Sequence, residues 1–245
     1  MTCGRKIGPY DCCSVVQGDC SELMKAIPDG AVDAVITDPP WGPDTVCNAQ
    51  RFTRRASPFW ANVDNSKVTP HKQIVGDDLE FDPRPLLRWR CILWGATNFT
   101  RHLPHSNGWL IWDKREGAED LAEKGWPLGE AELAWTNVRG STRVFRNLWV
   151  GLLRTQERGE FYHPTQKPVE LMMWCIQQAK LPQTVFDPYA GAGSTGIAAA
   201  KLGLHYLLFE ISAEYCEIAR RRLAEIDAQP NLFEPKPEQL RLGEL

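Results

Sequence analysis

The sequence of 245 residues has no uninterrupted apolar run of the roughly 18 residues that a membrane-spanning helix needs. Its first residues also lack the apolar stretch of a signal peptide. Among its eight cysteines there is no C-x-x-C pair, the spacing that zinc sites commonly show. We therefore expect reduced thiols, no disulfide framework, no bound metal, no contact with a membrane and a cytoplasmic location.

An excess of positive charge is absent as well. The chain carries 28 Lys+Arg against 31 Asp+Glu, a formal net charge of -3, which argues against a surface that is basic throughout. A local basic groove on such a body is still compatible with nucleic-acid binding. With 43% hydrophobic and 24% charged residues, the composition is that of an ordinary globular protein and excludes disordered and fibrous classes.

Short apolar runs alternate with helix-like segments along the chain. Strands are predicted at 14–19, 31–37, 89–94, 109–112, 184–187 and 204–209, with two more at 134–135 and 144–153. Helices are predicted at 21–27, 168–181 and 213–226, together with an alanine-rich helix that ends near 203. This alternation is typical of a doubly wound, mostly parallel α/β sheet. The polar tail after 230 is expected to be loosely held.

A glycine-rich turn, GAGSTG at 191–196, follows a predicted strand and opens a helix. Glu210 ends the next predicted strand. Glycine lets a backbone approach a ligand closely, a helix N-terminus favours an anionic group, and the acidic residue can accept hydrogen bonds from ribose hydroxyls. The turn lies too late in the chain for a second nucleotide-binding half to follow. The other strands must therefore precede it, as in a circularly permuted doubly wound domain.

A second motif, Asp38-Pro39-Pro40-Trp41, comes directly after a predicted strand, where open parallel sheets bind their ligands. The exocyclic amine of a nucleobase is a weak nucleophile because its lone pair is delocalised into the ring. A carboxylate and a rigid main-chain carbonyl that accept its N–H groups make it more nucleophilic, and Asp38 and Pro39 offer these two acceptors. Trp41 offers a face on which a flipped-out base can stack. The alternative is a rigid turn beside a packed tryptophan.

Taken together, these segments resemble the amino-methyltransferases of DNA, in the permuted order in which the target-amine motif precedes the S-adenosylmethionine motif. The resemblance spans about 17–226. It implies a Rossmann-like methyltransferase fold in a single domain over 1–245, with inserted recognition loops at about 42–76 and 115–160 and a loosely held tail at 230–245. It is carried by GDC at 18–20, DAVITDPPW at 33–41, WGATN at 94–98, WLIWDK at 109–114, HPTQKP at 163–168, FDPYAGAGSTG at 186–196 and FE at 209–210.

The resemblance also implies a role for each matched residue. The methyl group would pass directly from S-adenosylmethionine to the exocyclic nitrogen, so no cysteine nucleophile is needed, unlike in cytosine C5 methylation. The residues that would hold the target base are Asp38, Pro39, Pro40 and Trp41. The cofactor residues would be Asp19 and Cys20 at the adenine, Glu210 at the ribose, Thr165, Gln166 and Lys167 at the methionine carboxylate, and Asp187, Ala190, Gly191, Gly193, Ser194 and Thr195 around the methionine.

Within this family an aspartate at the first position of the proline motif usually accompanies N6 of adenine, and a serine more often accompanies N4 of cytosine. Asp38 therefore favours adenine, with N4 of cytosine as the alternative and a non-catalytic DNA-binding module as a distant one. Trp41 departs from the commoner tyrosine. The implied partner is double-stranded DNA; a homodimer and a cognate restriction endonuclease are left open. The candidate DNA contacts are Arg51, Arg54, Arg55, Arg139, Arg143 and Arg146.

Overall fold

The structure is a computed structural model. It describes residues 3–41, 80–116, 129–138, 140–150, 153–154, 157, 162 and 165–228. The predicted recognition loop at 42–76, the predicted tail at 230–245, and the candidate DNA contacts Arg51, Arg54, Arg55 and Arg139 lie outside these residues.

Twelve strands and four α-helices make up the described part. The strands are β1 (Lys6–Ile7), β2 (Tyr10–Asp11), β3 (Ser14–Gln17), β4 (Ala34–Thr37), β5 (Arg90–Trp94), β6 (Gly108–Asp113), β7 (Ala131–Thr136), β8 (Arg143–Arg146), β9 (Trp149–Val150), β10 (Leu153–Arg154), β11 (Thr184–Asp187) and β12 (His205–Glu210). The helices are α1 (Cys20–Leu23), α2 (Val169–Gln178), α3 (Ser194–Lys201) and α4 (Ala213–Ala228). None of them is long and apolar enough to cross a bilayer.

Eight of the strands form one sheet in the order β3-β12-β11-β4-β5-β7-β6-β8. Only β7 runs antiparallel to its neighbours in this sheet. The mostly parallel, doubly wound fold is thereby confirmed. At the centre, β4 leads on to β5 on one side, while its neighbour β11 leads on to β12 on the other. Such a topological switch point opens a crevice at the carboxyl ends of the two strands, which is where open α/β sheets bind ligands.

The two faces of the sheet are covered differently. Helices α2, α3 and α4 pack on one face, against alternate strand residues such as Ile36 and Leu208. The β1–β2 hairpin, the 3₁₀ turn after α1 and the segment leading into β5 cover the other face, against the intervening residues such as Val35 and Phe209. Because successive side chains of a strand point to opposite faces, strands covered on both faces are buried along almost their whole length, as β4 and β12 are.

Two details differ from the sequence-based expectations. The helix predicted at 21–27 is one short turn, α1, followed by a 3₁₀ turn over Met24–Ala26. Its N-cap is Asp19, whose carboxylate accepts the backbone N–H of Ser21 at 2.8 Å. In addition, β7 and β8 lie inside the predicted recognition loop at 115–160, close to the strands predicted at 134–135 and 144–153, and both belong to the central sheet.

Candidate active site

A cavity of about 1020 Å³ opens at the carboxyl ends of β4, β11 and β12. It is lined by all four residues of the proline motif and by every predicted cofactor residue except Gly193. These lining residues are Asp38, Pro39, Pro40 and Trp41, with Asp19, Cys20, Thr165, Gln166, Lys167, Asp187, Ala190, Gly191, Ser194, Thr195 and Glu210. The fold therefore brings the proline motif and the glycine turn together. Thr37, just before the proline motif, donates a hydrogen bond to Asp187, which lies 150 residues later, just before the glycine turn.

The glycine turn depends on its glycines for close packing. Gly193 is the N-cap of α3 in the left-handed region, with φ of 82°, and a Cβ there would lie 2.9 Å from the Cβ of Ala219 in α4. A Cβ at Gly196 would lie 2.5 Å from Cδ1 of Leu208, so α3 can pack this closely on β12 only without a side chain there. Gly193 thus acts through packing rather than by lining the cavity.

Glu210 holds the turn in place from the end of β12. Its carboxylate accepts the backbone N–H of Gly191 at 2.8 Å and that of Ser212 at 2.8 Å. The residue lines the cavity although only 9% of its surface is exposed. A carboxylate anchored by two backbone donors is a rigid acceptor at the cavity wall, which suits the predicted role toward ribose hydroxyls.

Asp187 links the two motifs across the switch point. Its carboxylate accepts the hydroxyl of Thr37 at 2.6 Å, the hydroxyl of Thr195 at 2.6 Å and the backbone N–H of Tyr189 at 3.0 Å. Thr37 precedes the proline motif, whereas Thr195 lies in the first turn of α3. Burial raises the pKa of Asp187 to about 6 in spite of these donors. Its side chain is committed to protein groups, so it positions the cavity wall.

Asp38 is held in a largely buried network of charges, called here the Asp38–Lys114 network. Oδ1 of Asp38 accepts the indole N–H of Trp41 at 3.1 Å, and Oδ2 forms an ion pair with Lys167. The Lys167 ammonium also lies 3.2 Å from Oε2 of Glu132. Oε1 of Glu132 in turn accepts a hydrogen bond from Nζ of Lys114 at 2.8 Å. The charges of two carboxylates and two ammonium groups therefore cancel within the network.

The network fixes the charge states of Lys167 and Glu132. Burial alone would raise the pKa of Glu132, but the ammonium groups of Lys167 and Lys114 outweigh it and hold this pKa at about 2. Burial alone would lower the pKa of Lys167, but Asp38 and Glu132 raise it above its ordinary value. For Asp38, burial prevails over the attraction of Lys167 and raises the pKa. Lys167 and Glu132 therefore stay ionised at neutral pH.

Part of this arrangement was not predicted from the sequence. Lys167 is predicted at the methionine carboxylate, and in the structure its ammonium also pairs with Asp38 and Glu132. No role was predicted for Lys114 or Glu132. The available signal was an acidic residue inside the apolar strand β7, in a position where only a paired charge is tolerated.

Gln166 also makes contacts that the sequence did not indicate. Its amide donates to Oε2 of Glu157 at 2.6 Å and accepts the backbone N–H of Tyr162 at 3.1 Å. Oε2 of Glu157 also lies 3.3 Å from Nη2 of the buried Arg222, whose Nη1 donates to the carbonyl of Ala192 at 2.7 Å. The loop that carries Lys167 is thus tied to the glycine turn, and the Gln166 side chain is bound within the protein.

Trp41 packs directly over Gly95. The backbone of Gly95 is in the left-handed region, with φ of 67°. A Cβ at Gly95 would overlap the Trp41 indole. We expect Gly95→Ala to displace Trp41 and to lower the turnover number by about 10- to 100-fold, because small misplacements of positioning groups have effects of this size. Cofactor affinity should stay unchanged, as measured by calorimetry.

Gly203→Ala is the matched control for this substitution. Gly203 has nearly the same φ, 69°, and nothing lies within 4 Å of a Cβ placed there. Both variants therefore incur the same backbone strain, and only Gly95→Ala meets Trp41. Equal losses of turnover in the two variants would refute the positioning role of this contact.

Two candidate DNA contacts are described. Arg143 and Arg146 are exposed on β8, at one end of the strand order. Arg146 is in register with Asp113, the last residue of β6, and its Nε lies 3.8 Å from that carboxylate. Arg146 therefore lies at the edge of the sheet where the cavity opens, whereas Arg143 begins its strand.

Comparison with known proteins places the chain in a family. The chain is 24% identical over 262 residues to the type II methyltransferase M.HinfI of Haemophilus influenzae, covering 90% of this chain and 71% of that protein. It is 20% identical to the type II methyltransferase M2.MboI of Moraxella bovis, covering 87% of this chain and 88% of that protein. The structure of the PvuII DNA methyltransferase, which is cytosine-N4-specific, shares the fold, with a TM-score of 0.52 at 13% identity over 87% of this chain and 89% of that one. A family model described as DNA methylase matches residues 44–221, most of the chain. The chain belongs to this family of DNA methylases.

Proposed function

We propose that the protein transfers a methyl group from S-adenosylmethionine to N6 of adenine in double-stranded DNA. The observation that carries the proposal is Asp38. Its carboxylate stands at the cavity wall beside Trp41, directly across the switch point from the glycine turn. In the resembling family an aspartate in this position usually accompanies adenine. Substrate amine and cofactor would therefore meet in one cavity.

The residues present fit the cofactor. A cavity of about 1020 Å³ has room for a nucleoside-sized cofactor beside a base. Glu210 offers the ribose a fixed carboxylate, and the glycine turn leaves its backbone open to close approach. S-adenosylmethionine, the methyl donor of this family, supplies an electrophilic methyl group when bound.

Asp38 is suited to act as a hydrogen-bond acceptor for the amine. Each of its oxygens already accepts one donor, from Trp41 or from Lys167, and each keeps a further lone-pair site. Two consecutive prolines fix the direction of the Pro39 carbonyl, the second acceptor. With both acceptors held, the lone pair of the amine is turned toward the methyl donor. The proton leaves the nitrogen after the attack, so no strong base is needed.

The reaction product distinguishes the proposed activity from N4 methylation of cytosine. The purified protein is incubated with unmethylated double-stranded DNA and S-adenosylmethionine, and the DNA is digested to nucleosides and analysed by mass spectrometry. We expect N6-methyl-2′-deoxyadenosine. N4-methyl-2′-deoxycytidine instead would overturn the choice of adenine. Absence of both, with cofactor binding intact by calorimetry, would refute methylation of DNA bases.

A further inference from the structure

A second cluster of reactive side chains lies at the end of the sheet opposite to the cavity. It consists of Cys3, Cys12, Cys13 and His205 and is called here the N-terminal cluster. His205 begins β12, whereas Glu210 at the other end of the same strand lines the cavity. One potential metal-binding atom from each of the four residues lies within 4.8 Å of all the others. Methyl transfer makes no use of these groups.

Four of the distances between these atoms are close to those of a tetrahedral metal site. Nδ1 of His205 lies 3.5 Å from Sγ of Cys3, 3.2 Å from Sγ of Cys12 and 3.8 Å from Sγ of Cys13. The sulfurs of Cys12 and Cys13 lie 3.6 Å apart. Ligands about 2.3 Å (sulfur) and about 2.0 Å (nitrogen) from a tetrahedral zinc ion lie about 3.5–3.8 Å from one another. A disulfide needs an S–S distance of about 2.05 Å.

The backbone brings these four residues together from three places in the chain. The β1–β2 hairpin places Cys3 near Cys12, whose backbone N–H donates to the carbonyl of Arg5 at 2.9 Å. The N–H of Cys13 donates to the carbonyl of Tyr206 at 2.8 Å, beside His205. Neighbouring side chains of an extended chain point to opposite faces. Cys13 instead has φ of 59°, rare for a residue other than glycine, and both thiols lie on one side.

We propose that the N-terminal cluster binds one Zn²⁺ through three thiolates and one imidazole nitrogen. Three sulfur ligands and one nitrogen ligand in tetrahedral positions are the donor set that zinc prefers. Four protein ligands leave no open position for substrate, so the site is structural. The thiols lose their protons on binding. The proposal departs from the expectation of metal-free thiols, which rested on the absence of C-x-x-C spacing.

The metal would support the cofactor cavity from outside. It joins the β1–β2 hairpin to the start of β12. Tyr10 in this hairpin donates its hydroxyl to the carbonyl of Leu23 at 2.8 Å and packs edge-on against Phe209, with ring centroids 5.0 Å apart. Leu23 ends α1, the helix whose Cys20 lines the cavity. The zinc site therefore fixes the hairpin that braces α1.

Metal analysis of the full-length protein tests the proposal. The protein is produced in zinc-replete medium, purified under reducing conditions without chelators or a histidine tag, and analysed by plasma mass spectrometry. We expect about one zinc per chain, and at least a tenfold lower content, about 0.1, in Cys12→Ser and His205→Gln. Cys175→Ala is the matched control, because this buried thiol lies in α2 and outside the cluster. Full zinc content in both cluster variants, or a wild-type protein without metal, would overturn the proposal.

Cobalt substitution gives a test that does not depend on the folding of any variant. Wild-type protein stripped of metal under reducing conditions is titrated with Co²⁺. We expect the visible bands of tetrahedral cobalt and the thiolate-to-metal charge-transfer band to saturate at about one equivalent, and one equivalent of Zn²⁺ to abolish them. Octahedral cobalt bands alone, or thiols that have paired as a disulfide in the untreated protein, would contradict a zinc site.

Discussion

Turnover of the Asp38→Ala variant is expected to fall by at least about 1,000-fold, whereas its dissociation constant for S-adenosylmethionine stays within about threefold of wild type. The substitution removes the acceptor that orients the amine. Lys167 keeps Glu132 as its other partner at 3.2 Å, so the buried ammonium stays paired and the fold survives. Single-turnover methylation and calorimetry measure the two effects separately.

Two further variants sharpen this test. Asp38→Asn keeps the shape and the hydrogen bond from Trp41 but removes the charge, and we expect an intermediate loss of turnover. Asp29→Ala removes an exposed carboxylate paired with Arg88 before β4, and we expect wild-type turnover. Asp38→Ala turnover above about one tenth of wild type would contradict the role given to this carboxylate.

Replacement of Lys167 by glutamine has the second largest expected effect. The side chain is only 6% exposed and pairs with both Asp38 and Glu132. Its loss leaves two largely buried carboxylates with Lys114 as the remaining ammonium of the network, which we expect to lower the free energy of unfolding by about 3–5 kcal/mol at neutral pH. Turnover should fall as well, because Asp38 loses the group that positions it. Chemical denaturation followed by fluorescence measures the stability.

The pH dependence of this variant follows from the same charges. The Lys167 ammonium lowers the pKa of Glu132, so its removal raises the pKa of that carboxyl group in the folded state. A raised folded-state pKa favours folding at low pH and opposes it as the pH rises. The stability deficit of Lys167→Gln should therefore shrink from neutral pH toward about pH 4. A deficit that stays constant over this range would refute the electrostatic explanation.

The double variant Glu132→Gln/Lys167→Gln separates charge balance from positioning. It leaves Asp38 and Lys114 as one negative and one positive group of the network. We therefore expect the lost stability to recover by more than half while turnover stays low. Lys201→Gln, at the exposed end of α3, is the control for loss of a lysine. A Lys167→Gln destabilisation below about 1 kcal/mol would show that the network contributes little.

Both motifs of the cavity were predictable because each is compact in sequence. The glycine turn needs small residues at fixed offsets between a strand and a helix, and the proline motif needs a rigid exit from a strand. The register of β4 and β11 then places them side by side. Because parallel sheets bind ligands at the carboxyl ends of their strands, the sequence was sufficient to predict that the two motifs lie close together.

The Asp38–Lys114 network was not predictable in the same way. Its four groups come from the end of β4, the end of β6, the strand β7 and the loop before α2, and no periodicity relates them. Their pairing depends on β7 being inserted antiparallel between β5 and β6, a feature that alternating strands and helices do not indicate. The N-terminal cluster was missed for the same reason, because its histidine lies 192 residues after Cys13.

Direct detection of modified bases tests whether the protein methylates adenine through Asp38. Unmethylated genomic DNA is incubated with S-adenosylmethionine and either wild-type protein or Asp38→Ala, and the DNA is then sequenced by a method that reports modified bases on single molecules. We expect N6-methyladenine at one sequence motif after treatment with wild type and none after treatment with the variant. Unmodified DNA after treatment with a wild-type protein that binds the cofactor, or equal modification by the variant, would contradict this expectation.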